Sequence, residues 1–146
     1  MAVVREAEPK DVDAVVQILH LSPEAGNWTE PDLEYSICGG ETRKCLVAEW
    51  KGTVVGFLLA ECPVEEEAEI LTLAVAPDAR RQGVGTALLG RFLEKRRGRV
   101  FLEVRLSNTA AQRFYETLGF TAVGLRPGYY SSPQEAAVVM QVLCFE

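Results

Sequence analysis

One stretch of this chain limits its architecture more than any other. Residues 68–76 are almost continuously apolar, Pro77 closes the run, and a loop reading Arg80-Arg81-Gln82-Gly83-Val84-Gly85 leads straight into an amphipathic pattern. A run of that kind predicts a central strand covered on both faces. Val84, Leu88, Leu89, Phe92 and Leu93 recur at helical spacing and predict a helix over 84–96, stopped by Gly98, with Arg91, Lys95, Arg96 and Arg97 complementing the carbonyls at its end. The β-prone residues 99–105 follow, so strand, helix and strand form a parallel crossover.

The rest of the chain reads in the same alternation. Residues 2–6 predict an edge strand, and Asp11 is an N-cap for a helix carrying Val12, Val15, Val16 and Leu19 on one face. In Trp28-Thr29-Glu30-Pro31-Asp32-Leu33, Thr29 and Asp32 form a capping box and Trp28 staples onto Leu33. Residues 44–49 and 53–61 form a hairpin through Trp50-Lys51-Gly52, and Glu65-Glu66-Glu67 reads as a solvated turn. A helix over 108–118 ends at Gly119, strands follow over 120–125 and 137–143, and residues 126–134 read as a turn-rich loop tipped by Tyr129-Tyr130. The order β-α-α-β-β-β-α-β-α-β-β predicts an α/β fold: one domain over 1–146, a mixed sheet flanked by helices.

Composition removes several classes of function. The chain has 146 residues, 48% hydrophobic and 25% charged, as in globular proteins, and lacks both the apolar span of a membrane helix and the apolar core of an N-terminal signal. A cytoplasmic protein without membrane association is expected. Cys38, Cys45, Cys62 and Cys144 show no metal-ligand spacing beside the single histidine, His20, so no metal site is expected and the cysteines read as buried or half-buried free thiols. A net charge of -6 argues against nucleic acid and for a cationic partner.

The loop before residue 84 is built for an anion. The first N–H groups of a helix lack internal partners and carry the positive end of the dipole, Gly83 and Gly85 remove side chains that would hold a diphosphate away, and Arg80 and Arg81 add charge. It is neither a Walker loop nor a Gly-x-Gly-x-x-Gly fingerprint, which excludes nucleotide hydrolysis and hydride transfer.

These residues resemble the GNAT superfamily of acyl-CoA-dependent N-acetyltransferases. The segments Leu102-Glu103-Val104-Arg105-Leu106-Ser107-Asn108 and Phe114-Tyr115-Glu116-Thr117-Leu118-Gly119-Phe120 look like the bacterial ribosomal-protein-alanine N-acetyltransferases within it. The likeness is dense over 68–130. Further upstream it rests on Asn27-Trp28-Thr29-Glu30, similar to a Pro-Trp-Ser-Glu segment of the family, with Asn27 and Thr29 as departures. The resemblance implies acetyl-CoA as cofactor, its pyrophosphate on Arg80, Arg81, Gln82, Gly83, Val84, Gly85 and Thr86. It also implies a pantetheine arm on main-chain groups of Leu73 and Val75 where strands splay, with the Val75 N–H toward the acetyl carbonyl.

Two residues are candidates for proton transfer. Glu103 is a carboxylate in a β-prone strand, either ion-paired with Arg105 or another arginine, or the base that takes a proton from an amine that arrives as ammonium. Tyr115 lies two helical turns from Asn108 on the same face; it is packed core or, as the resemblance implies, the acid that protonates coenzyme A thiolate. Asn108 caps its helix, bonds the cofactor, or does both. Trp28, Tyr129 and Tyr130 are candidate walls for a peptide channel. The reading that results is direct acetyl transfer in a ternary complex to a protein N-terminus, alanine first and basic residues nearby. The alternatives are a lysine side chain or small amine as acceptor, and a non-catalytic acyl-CoA-binding module.

Overall fold

A computed structural model describes residues 2–131 and 134–145. The strands are β1 (Val3–Glu6), β2 (Arg43–Trp50), β3 (Thr53–Val64), β4 (Glu67–Val75), β5 (Gly98–Arg105), β6 (Thr121–Ser131) and β7 (Gln134–Cys144). The helices are α1 (Val12–His20), α2 (Glu30–Glu34), α3 (Val84–Glu94) and α4 (Thr109–Thr117). The seven strands form one sheet in the order β1-β2-β3-β4-β5-β7-β6, antiparallel except where β4 meets β5 after the α3 crossover. This is the mixed sheet flanked by helices that the periodicity predicts.

Each sheet face has its own core because alternate residues of a strand point to opposite sides. Val15, Ile18 and Leu19 of α1 and Leu33 of α2 pack on Val47, Phe57 and Leu59; Trp28 joins them. On the other face Val84, Leu88, Leu89 and Phe92 of α3 pack with Leu58, Val100, Leu102 and Phe120, and Phe114 and Tyr115 of α4 lie against that cluster. The β2–β3 turn is two residues, Lys51 and Gly52, both at positive φ (52° and 82°), the mirror-image geometry that suits a twisted hairpin.

Several local expectations are corrected. Asp11 stands before α1 but makes no side-chain cap there; it is buried, and its carboxylate takes both ends of the Arg5 guanidinium (2.8 and 3.0 Å) and the Glu8 N–H (2.7 Å). Arg96 of the basic cluster does not turn to the carbonyls of α3, which ends at Glu94; it donates to Val64, Glu65 and Glu67 across the β3–β4 turn. Cys38 is exposed, unlike the other three cysteines. The segment 126–134 is not a free loop: β6 runs on to Ser131 beside β7, with a register shift between Arg126 and Tyr130 and positive φ at Gly128. Residues 132 and 133 lie outside the described residues.

Candidate active site

The site follows from a defect in the sheet. β4 and β5 pair only at Glu67↔Arg99, Ala68↔Val100 and Glu69↔Phe101, although each strand continues well beyond. Past that point β4 stays with β3 as far as Val75, while β5 stays with β7 as far as Arg105. The strands therefore splay into a V. A cleft of about 650 Å³ occupies it, lined by Tyr115 of α4 and its N-cap Asn108, and by Trp28, Tyr129 and Tyr130.

Glu103 projects from β5 on the face opposite Val100, Leu102 and Val104, as strand alternation requires. Its side chain is only 7% exposed, and both carboxylate oxygens accept from the Arg126 guanidinium, at 3.0 and 2.8 Å. Arg126 is 57% exposed and stacks 4.6 Å over the Tyr129 ring. Arg105 turns instead to Glu135, at 3.2 Å, and over Tyr130. The ion pair with an arginine is thus real, and the partner comes from β6, in the segment read as a loop.

Tyr115 is wedged edge-on between Phe114 and Phe120, with ring centroids at 5.2 and 5.6 Å. Burial, helped by nearby Tyr130, pushes its phenol up to about 12, so the hydroxyl stays protonated at neutral pH. It has no hydrogen-bond partner among the described residues. Asn108 caps α4, accepting from the Ala111 N–H at 3.1 Å, and lines the cleft as well.

Leu73 lines the cleft; Val75 and the loop from Arg80 to Thr86 do not, and lie where β4 runs on toward α3. Gly83 opens α3 in the left-handed region at φ 81° without a side-chain cap, and a Cβ built on it would meet nothing within 4 Å. Arg81 shares that unusual geometry, φ 64°, and is exposed. Gly85 serves packing: a Cβ there would stand 3.3 Å from the Phe114 ring. Val84 is buried and Thr86 exposed, while Gln82 reaches back to the Asp78 carbonyl at 3.4 Å. Arg80 is committed inward, donating to the Val75 carbonyl at 2.9 Å and to Ser22 Oγ at 3.2 Å, which ties the loop to the end of α1.

Sequence reasoning missed Glu69 and Arg126. Glu69 hides in the apolar run 68–76; a charge inside that run was the available signal. It lines the cleft, half-buried, and burial followed by the Glu103 charge raises its carboxyl above the ordinary range. None of the four cysteines lines the cleft, and burial pushes the Cys45 thiol up to about 12.

A sheet split between two parallel strands, with a glycine-led helix start beyond the split, is the arrangement that the sequence resemblance implies for an acyl-CoA site. The chain belongs to the acetyltransferase (GNAT) family, whose model matches residues 12–120. A Bacillus subtilis protein named as a candidate ribosomal-protein-bS18-alanine N-acetyltransferase is 31% identical over 145 residues, 97% of this chain and 95% of that one. The crystal structure of the Escherichia coli ribosomal-protein-S18-alanine N-acetyltransferase superposes with a TM-score of 0.88 at 28% identity, covering 100% of this chain and 96% of that one. Ard1 from Thermoplasma volcanium superposes at 0.86 with 35% identity, covering 99% of both chains. The protein is an acetyl-CoA-dependent N-acetyltransferase.

The residues present fit that cofactor. Open space at Gly83 leaves room for a diphosphate at the start of α3, and the V beside Leu73 offers β4 main chain without a β5 partner.

Proposed function

We propose that this enzyme acetylates the N-terminal α-amine of a protein that begins with alanine, a ribosomal protein, with basic residues close behind. The observation that carries this reading is the cleft through the sheet, which joins a carboxylate-rich, aromatic mouth on one face to the Tyr115 hydroxyl on the other. Among the described residues that line it, Glu24, Asp32, Glu69 and Glu103 stand against one cation, Arg105, a balance that favours an ammonium and a basic peptide. The names of the relatives above support the choice of an alanine N-terminus.

When bound, acetyl-CoA supplies the activated acetyl thioester. Arg81, Gln82, Gly83, Val84, Gly85 and Thr86 receive its pyrophosphate, mainly through N–H groups at the start of α3, while Arg80 holds the loop in shape. Leu73 and Val75 receive the pantetheine arm, and the Val75 N–H polarises the acetyl carbonyl. Asn108 adds a hydrogen bond to the cofactor while it caps α4. Trp28, Tyr129 and Tyr130 enclose the first residues of the acceptor. Glu103 accepts a proton from the amine, and Tyr115 gives one to the departing sulfur.

The test pairs an alanine-initiated basic peptide with the same peptide whose α-amine is blocked and whose internal lysine is free. Acetylation of the first alone is the expected result, read by mass spectrometry. Acetylation of the blocked peptide alone would make this a lysine acetyltransferase.

A further inference from the structure

A second pocket, of about 80 Å³, lies between the end of α3 and the β1–β2 edge of the sheet. It shares no lining residue with the catalytic cleft. Its floor is apolar and buried, formed by Leu46 of β2 and Phe92 of α3. Glu6 pairs in register with Leu46, which belongs to the core beneath α3, so strand alternation brings Glu6 and Lys44 to that same face. Arg91, Lys95 and Arg96 close the pocket from the helix side. By helical rise it stands about 16 Å from the glycine-led start of α3.

The charges around it do not balance. Lys44, Arg91 and Lys95 make no ion pair among the described residues, and neither does Glu6. Arg91 reaches only the Val4 carbonyl, at 3.5 Å. Arg5 also lines the pocket, but its guanidinium is taken by Asp11 and Glu49. Complementing the dipole of α3 accounts for cations on its last turn, yet Lys44 comes from β2. Like charges gathered over an apolar floor repel, and a concave site of one sign concentrates the opposite ion.

Arg96 is the fixed member of the group. It donates through one terminal nitrogen to the Val64, Glu65 and Glu67 carbonyls, and its guanidinium stands 5.5 Å over the Phe92 ring. Its Nε is buried and has no hydrogen-bond partner among the described residues. An unsatisfied buried N–H costs free energy, which an arriving acceptor would relieve.

We propose that this pocket binds a single phosphate group, free or at the end of a small molecule, with Lys44, Arg91, Lys95 and the Arg96 Nε–H as its donors. Cationic nitrogens form their strongest hydrogen bonds with such an oxyanion. The volume is that of two or three waters at roughly 30 Å³ each, which admits one tetrahedral group. A polynucleotide requires an extended basic surface, and a chain of net charge -6 does not supply one.

The experiment follows thermal melting of wild type, Lys44→Gln and Lys95→Gln as inorganic phosphate or phenyl phosphate is added. Neither lysine bonds another described residue, so both variants fold. Coenzyme A is kept saturating, which fills the start of α3, and chloride holds the ionic strength constant. In the wild type Tm rises and saturates, as binding to the folded state requires. Each variant needs about tenfold more phosphate for the same rise, the worth of one charge-assisted contact. Tighter binding of phenyl phosphate assigns the site to a phosphorylated small molecule, and equal or weaker binding assigns it to the free ion; both support the proposal. No saturable rise overturns it, as does an equal rise in all three proteins, which is the general salting effect of phosphate. A short single-stranded RNA that binds the wild type more tightly than either probe, and is lost in the variants, makes the patch a nucleic-acid contact and overturns it too.

Discussion

The Arg126 guanidinium grips both oxygens of Glu103, at 3.0 and 2.8 Å, while standing 4.6 Å over the Tyr129 ring. One side chain thus neutralises the candidate base and braces an aromatic wall of the cleft. A cationic acceptor must compete with it. Arg126→Gln removes the competitor, so the acceptor KM falls several-fold while acetyl-CoA binding stays constant. Steady-state kinetics at low and high salt checks this, since an exposed arginine is screened by salt.

Glu103→Gln keeps the shape of the side chain and deletes its basicity. Turnover drops by about 10²- to 10⁴-fold, with acetyl-CoA affinity retained. Calorimetry with acetyl-CoA beside single-turnover rates separates the two effects, and near-wild-type rates would return Glu103 to a purely structural ion pair.

Tyr115→Phe removes a hydroxyl without altering the ring packing on Phe114 and Phe120. A rate loss of about 10²- to 10⁴-fold is expected when departure of sulfur limits turnover. The pH dependence is a second check. Because burial pushes the phenol up to about 12, the acid form persists through the alkaline range, and the wild-type rate shows no tyrosine-dependent fall until pH approaches that value.

Gly83 combines a left-handed φ of 81° with open space where a side chain would project. Gly83→Ala therefore has two separable consequences: about 1–2 kcal/mol of lost stability from the backbone, and a large loss of coenzyme A affinity from the obstructed diphosphate site. Saturating coenzyme A stabilises the wild type by about 2.7 kcal/mol at a hundred times Kd. Melting curves with and without ligand show this shift for the wild type and little of it for the variant.

The buried Asp11 and the half-buried Arg5 hold the start of α1 against β1. Asp11→Asn breaks a largely buried pair, though Arg5 keeps Glu49 at 2.8 Å, so a cost of about 3 kcal/mol, low in the range for such pairs, is expected at pH 7. The Arg5 guanidinium holds the Asp11 carboxyl below its ordinary value, against the opposing effect of burial. A depressed carboxylate contributes stability above its unfolded pKa of about 3.9 and loses it as pH falls through the folded value. Denaturant titrations should therefore show wild type and variant converging in acid.

Local pattern alone determined the element order, the crossover through α3, the capping box at Thr29 and the glycine-led start of α3. Each depends on residues within a few turns of one another, and the physics of periodicity, capping and helix dipoles acts at that range. Glu103, Tyr115, Asn108 and the three aromatic residues were visible as candidates for the same reason. The pairings between distant segments were not. That Glu103 meets Arg126 rather than Arg105 depends on β7 lying between β5 and β6, which places residues 23 apart in one ion pair. Where the V opens depends on β4 and β5 ceasing to pair after Glu69, a contest between two partners for each strand that no single strand encodes. Glu69 itself read as one more member of an apolar run; only the splay, which leaves it half-buried beside the charge of Glu103, gives its carboxylate a raised pKa and a place in the cleft.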